Sequence, residues 1–192
     1  MPGSQTKLVI GGSWGDEPVF SKMNEHIKLA WSAGQPDDFD LKNFALGLLE
    51  GAKQNLARDG ELASVAFVIA GSQIQCYSVT FSDHKEKEVA YRDLVKIALA
   101  AHATALVTCN DAYWKHNADR DYVEGYYPGK LAAEHAKECV MLTVSGPSME
   151  TWCIEVPYER SETEIKFGEQ AESFGEELGF LEGWRSEKPR VQ

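Results

Sequence analysis

The chain has 192 residues, 43% of them hydrophobic, which suits one globular domain whose core needs neither metal nor disulfide. Thirty acidic residues against 19 basic ones give a formal net charge of −11, which repels phosphate backbones and anionic membranes and argues against direct nucleic-acid binding. No apolar run approaches the roughly 18 residues of a membrane span, and "MPGSQTKLVIGGSWGDEP" lacks the pattern of a secretory signal, so a cytoplasmic protein is expected.

Residues 1–36 read as an N-terminal extension. Within it Phe20, Met23, Ile27, Ala30 and Trp31 share one helical face after Pro18, and Gly34 and Pro36 close the segment, which predicts a short helix. From Asp40 to Arg58, Leu41, Phe44, Ala45, Leu48, Ala52 and Leu56 recur at helical spacing, with Asp40 as N-cap and Gly60 near the end. The period then changes. "LASVAFVIAG" is nearly continuous apolar sequence and "QIQCYSVTF" alternates, so the "GS" between them marks a hairpin of two antiparallel strands. Asp83 with Glu86 has the spacing of a capping box, and Val89, Leu94, Ile97, Ala98 and Ala101 supply the buried face of a helix to about residue 102.

"TALVTC" follows as a buried strand. Residues 112–136 lack periodicity apart from a possible helical turn at "KLAAEHA". "ECVMLTVS" and "TWCIEVPYE" flank a turn containing Gly146 and Pro147, a second hairpin, and the charged "ETEIKFG" suits an edge strand. In "AESFGEELGFLEGW", Phe174, Leu178, Leu181 and Trp184 lie along one helical face, predicting an acidic amphipathic tail over 169–192. The fold class is therefore α+β. A mixed, mostly antiparallel sheet of five to six strands, with ββαβββ core order, is packed by two main helices at 40–58 and 84–102. The chain is one domain, with its core at 37–168 and an N-terminal helix and a C-terminal helical tail as accessories.

Because "TALVTC" follows the crossover helix, Asn110, Asp111, Tyr113, Trp114 and His116 are expected to emerge at its carboxyl end, where α/β folds often bind ligands. Asp111 has the chemistry to orient His116 as a general base, and Asp111, His116, Asp119 and Asp121 offer oxygen and nitrogen ligands to a divalent metal. Their spacing matches no compact ligand motif, so a solvated loop with Tyr113 and Trp114 closing the core edge is the competing reading. Glu164 and Lys166 share a strand face, as in restriction-type nucleases, but no Asp follows Asp121 and an exposed ion pair is expected instead. No nucleotide-binding fingerprint or nucleophile elbow occurs. Cys76, Cys109, Cys139 and Cys153 form no C-x-x-C pair and read as reduced, buried thiols, Cys109 included although it lies seven residues from His116. Trp152 alternates with Cys153, so it anchors an interface if its sheet face is left uncovered.

The succession "RDGELASVAFVIAG", "HKEKEVAYRDLVKIALAAHATALVTCNDAYW" and "HAKECVMLTVSGPSMETWCIEVPYER" resembles a loose group of small bacterial and phage proteins of unknown function. These run from a D-G turn into a strand, then helix, strand, an acidic-aromatic E-A-W-like step and an R-x-E-like start to the last hairpin. Here Asp111-Ala112-Tyr113 stands at the first step and Lys137-Glu138 at the second, both departing in detail. The resemblance covers residues 58–168 and implies no activity, cofactor or partner. It does imply that Asp111 and Glu138 lie close together, as two carboxylates of one polar pocket.

The leading reading is a non-enzymatic binding or accessory protein that self-associates into a homo-oligomer, with Tyr113, Trp114, Trp152 and Trp184 as contact residues and no cofactor. The alternative is a metal-assisted hydrolase using Asp111, His116 and Glu138. A third is an acidic mimic that binds a basic partner.

Overall fold

The computed structural model describes residues 25–114 and 137–175. In chain order these form β1 (Ile27–Gly34), α1 (Leu41–Asp59), β2 (Val65–Ala70), β3 (Gln73–Val79), α2 (His84–Ala100), β4 (Ala105–Trp114), β5 (Lys137–Gly146), β6 (Met149–Arg160), β7 (Ile165–Phe167) and β8 (Ala171–Phe174). The strands make one eight-stranded sheet in the order β1-β3-β2-β4-β5-β6-β7, with β8 beside β7 on the outer side of β6. The fold is α+β and the ββαβββ core appears as expected, from β2 to β6 with β7 following. Two details differ. The sheet has eight strands rather than five to six, and every pairing is antiparallel, so it is not mixed.

Local chemistry sets both helices. The Asp40 side chain accepts the Asn43 N–H at 2.7 Å, and Gly60, at φ 75°, ends α1 in the left-handed conformation with its N–H donating to the Leu56 carbonyl. At α2, Asp83 accepts the Glu86 N–H at 2.9 Å. Glu86 returns its carboxylate to the Ser82 N–H at 2.6 Å, a capping box whose return bond reaches one residue further out. The buried face of α2 runs through Ala90, Tyr91, Leu94, Val95 and Ala98, which leaves Val89 40% exposed, contrary to its expected burial.

Each helix covers one face of the sheet. Beneath α1 lie Phe67, Ile69, Val107, Val140, Leu142 and Ile154; beneath α2 lie Ala66, Val68, Tyr77, Val79 and Leu106. Burial on both faces is why β2 and β4 read as continuous apolar runs rather than alternating ones. The connection from β3 to β4 crosses β2 by way of α2.

The N-terminal helix is corrected. Residues 27–34 form the terminal strand β1, paired with β3 from Ile27↔Val79 to Gly34↔Gln73, and the register shifts between Leu29 and Trp31. Ile27 and Leu29 join the cluster under α2, whereas Trp31 packs edge-on against Phe67 under α1, with ring centroids 5.9 Å apart. The bulge moves the chain's apolar parity from one face to the other, so the apolar positions imitate helical spacing. The expected C-terminal helix is likewise a strand at Phe174, in β8, and its remaining positions Leu178, Leu181 and Trp184 lie outside the described residues.

The four cysteines are buried and form no disulfide, as expected. Burial pushes Cys76 up to about 11 and Cys109 up to about 12. Cys109, 1% exposed inside β4, sits as a buried core thiol.

Gly146, the last residue of β5, abuts the Thr104 carbonyl, which a Cβ would strike, and Met149 would stand 3.1 Å from the same atom. Gly146→Ala is expected to lower unfolding stability by about 1–3 kcal/mol, the usual penalty of overpacking, with an unchanged urea slope. An unchanged urea midpoint would show that the Thr104 backbone yields at no cost.

Candidate functional site

The strand β4 does not stop at Cys109. It continues to Trp114, paired with β5 through Asp111↔Val140, Ala112↔Cys139, Tyr113↔Glu138 and Trp114↔Lys137. Asp111 is therefore inside a strand, on the α1 face, and not in a loop beyond the sheet. Glu138 shares that face with Val140, and in β6 the residues Ile154, Val156, Tyr158 and Arg160 do the same by alternation. Three adjacent strands thus bring Asp111, Glu138, Tyr158 and Arg160 together.

The Arg160 guanidinium closes this group. Its Nε donates to Glu138 Oε2 at 2.9 Å and Oε1 at 3.1 Å, and its Nη2 donates to the Tyr158 hydroxyl at 2.9 Å while standing 3.6 Å from Asp111 Oδ2. Tyr158 passes its own proton on, donating to Asp111 Oδ1 at 2.8 Å. Nη1 donates to the carbonyl of Gly60, the C-cap of α1. A cation at this position satisfies an orphan carbonyl and complements the negative end of the helix dipole. Arg160 pins the carboxyl end of α1 to the sheet.

Electrostatics follow from the geometry. Burial pushes the Asp111 carboxyl above the ordinary carboxylate range and nearby Glu138 adds to the shift, while the Tyr158 hydrogen bond and Arg160 pull against it. Burial likewise raises the Tyr158 phenol, reinforced by its bond to Asp111.

Asp111 and Glu138 do come together, but as ligands of a guanidinium. Both Glu138 oxygens and one Asp111 oxygen already accept hydrogen bonds, and a fixed positive charge fills the space a bridging metal would need. Among the described residues no group of three or more His, Cys, Asp or Glu is placed to hold a metal. His116, Asp119, Asp121 and Trp184 lie outside the described residues, and Tyr113 and Trp114 are placed by backbone alone, in β4. Sequence reasoning missed Tyr158 and Arg160. The available signal was their alternation with Ile154 and Val156, and Arg160 being the first basic residue after Lys137.

At the other end of α1 is a different surface. Asp40, Leu41, Lys42, Val144, Met149, Glu150, Trp152 and Phe174 line a cavity of about 540 Å³. Trp152 is only 7% exposed and so presents no free anchor. It stacks on Phe174 of β8 with ring centroids 6.2 Å apart and planes 4° from parallel, and its Nε1 donates to Glu172 at 3.0 Å. Phe174 is 62% exposed at the mouth. The Lys42 ammonium stands 6.0 Å from the Trp152 ring centroid. The expected ion pair of Glu164 with Lys166 is present at 2.9 Å, on the exposed surface.

Comparison with known proteins finds no family model, no curated protein and no solved structure that matches this chain.

The Asp111 shift has a definite sign. A carboxyl whose folded pKa is raised contributes stability that is fully present below the ordinary carboxylate range and is lost as pH rises through its folded value. Asp111→Asn, which keeps an acceptor for Tyr158, is therefore expected to gain stability relative to the parent as urea unfolding moves from about pH 4 to pH 7. A difference that stays constant or shrinks over that range contradicts the raised value. Arg160→Met leaves two half-buried carboxylates facing each other and the Gly60 carbonyl without its donor. With the site one third exposed, a loss of about 1–3 kcal/mol at pH 7 is expected, diminishing as the carboxylates protonate. Equal losses at both pH values would place the cause in packing instead.

Proposed function

We propose that this chain is a non-enzymatic binding or accessory protein that self-associates. The observation that carries the reading is the contrast between the two ends of α1. At one end the ionisable side chains are consumed by Arg160 in a closed network that fixes helix to sheet. At the other, the cavity walled by Leu41, Val144, Met149, Trp152 and Phe174 is concave, aromatic and rimmed by Asp40, Lys42 and Glu150. Its volume of about 540 Å³ falls within the range of small-molecule sites, roughly 300–1,000 Å³. An apolar floor with a few charged rim groups suits capture of an apolar or planar ligand, or of an aromatic side chain on a partner. Of its two carboxylates, Asp40 is engaged as the N-cap of α1 and Glu150 stands at the rim. The hydrolase reading is weakened because Asp111 and Glu138 are already bound to a cation.

The binding half is tested with the apolar fluorophore anilinonaphthalene sulfonate on the full chain. Saturable binding of one probe per chain is expected, weakened about tenfold or more in the pair Leu41→Gln and Phe174→Ala, which adds no charge to attract the anionic probe, since burying one such side chain is worth about 1.5–3 kcal/mol. The melting temperature is expected to stay within about 4 °C, because both positions are partly or mostly exposed. Probe emission that never saturates, or an unaltered affinity in the variant, removes the cavity as the site. The self-association half is tested by light scattering over a concentration series, where a strict monomer at the highest concentration removes it.

A further inference from the structure

The two margins of the sheet are built differently. At one, β6 is covered by two short strands, the three-residue β7 and the four-residue β8, which carry Lys166 and Glu172. Short, charged strands are the usual way of blunting an edge. At the other margin β1 runs for eight residues, and no strand among the described residues pairs with its outer side. Lys28 and every residue from Ala30 to Gly34 are exposed, Trp31 to 43%. The strand has no proline and a single charged residue, Lys28.

The charge is the informative feature. The chain carries 30 acidic residues and a formal net charge of −11, yet β1 has none of them. Two copies repel each other over most orientations, and within β1 itself an antiparallel copy brings no carboxylates opposite one another, the nearest being Glu25 before the strand and Asp37 after it. An antiparallel pair of identical strands is also complementary by construction, because residue i faces residue j as j faces i about a two-fold axis. With that axis perpendicular to the sheet, both copies keep their α1 faces on the same side. Trp31, already seated against Phe67 on that face, would then stand beside the partner's Trp31. Trp31 is also one wall of a groove of about 430 Å³ alongside α1, floored by Phe67 and Cys76. The partner's strand would run along its open side.

We infer that the occupant of the β1 edge is a second copy of this chain, joined antiparallel through β1 into one continuous sheet. This rests on the self-association proposed above and names its interface.

The experiment uses the full chain in sedimentation velocity over a concentration series, for the parent, Trp31→Lys and Ser32→Lys. Amide hydrogen exchange of the parent is followed at low and high concentration. The expected result is a reversible dimer that strengthens with added salt as like charges are screened. Each variant is expected to weaken it at least tenfold, and β1 amides are expected to gain protection with concentration while those of β7 and β8 do not. A dimer that is indifferent to both variants, with β1 exchange independent of concentration, overturns the interface and leaves self-association standing elsewhere. A parent that is monomeric throughout overturns both. If a variant loses its cooperative melting transition, the exchange data on the parent decide alone.

Discussion

Burial of one antiparallel sheet on both faces is the constraint from which the rest of this structure follows. With α1 on one side and α2 on the other, the central strands must be apolar at odd and even positions alike, so they have no solvent face on which to carry polar side chains. Polar groups that do occur in the strands must find partners in place, because a buried unpaired one costs about 1–3 kcal/mol. On the α1 face Arg160 gathers Glu138, Tyr158 and Asp111; on the other, Tyr91 donates to Asn110 at 3.0 Å, and Ser145 and Thr151 share a hydrogen bond across β5 and β6. Strand residues that look reactive in isolation are thereby used up in satisfying one another. Open concave surface appears where helix coverage stops, beside α1 and at its amino end.

What was legible in the sequence is what local chemistry decides. Asp40, Gly60 and Asp83 fix helix ends by hydrogen bonds spanning three or four residues, and these were read correctly. The strands β2 to β6 announce themselves by apolar or alternating runs between turns, and β7 by the charged pattern of an edge strand. What was not legible depends on contacts distant in sequence. The first strand hides because its bulge at Ala30 breaks the two-residue alternation that would reveal it, and leaves Ile27, Ala30 and Trp31 at helix-like intervals. The fourth strand outlasts its apolar run because β5 supplies pairing as far as Trp114, which turned an expected site loop into sheet. The proximity of Asp111 and Glu138 was expected from the resemblance, but its meaning was not. Arg160 acts across three strands and the end of a helix 100 residues earlier, a coincidence that no spacing rule encodes.

The same bulge bears on how the protein meets other molecules. An edge strand tethered on one face only would flex, and ordering it would cost much of what a new pairing gains. Here Ile27 is fully buried in the cluster under α2, while two residues beyond Leu29 the Trp31 ring locks against Phe67 under α1. The strand is therefore held from both sides of the sheet, with its outward N–H and C=O groups kept in a fixed row. A partner strand added to such a row loses mainly its own freedom, so the gain in hydrogen bonds and Trp31 burial is offset less than at a mobile edge. The opposite margin has the reverse character: β7 and β8 are short and charged, and Gly168 packs against Pro157 where the chain turns between them. One end of the sheet is built to stop, and at the other the rigid strand β1 has no partner on its outer side among the described residues.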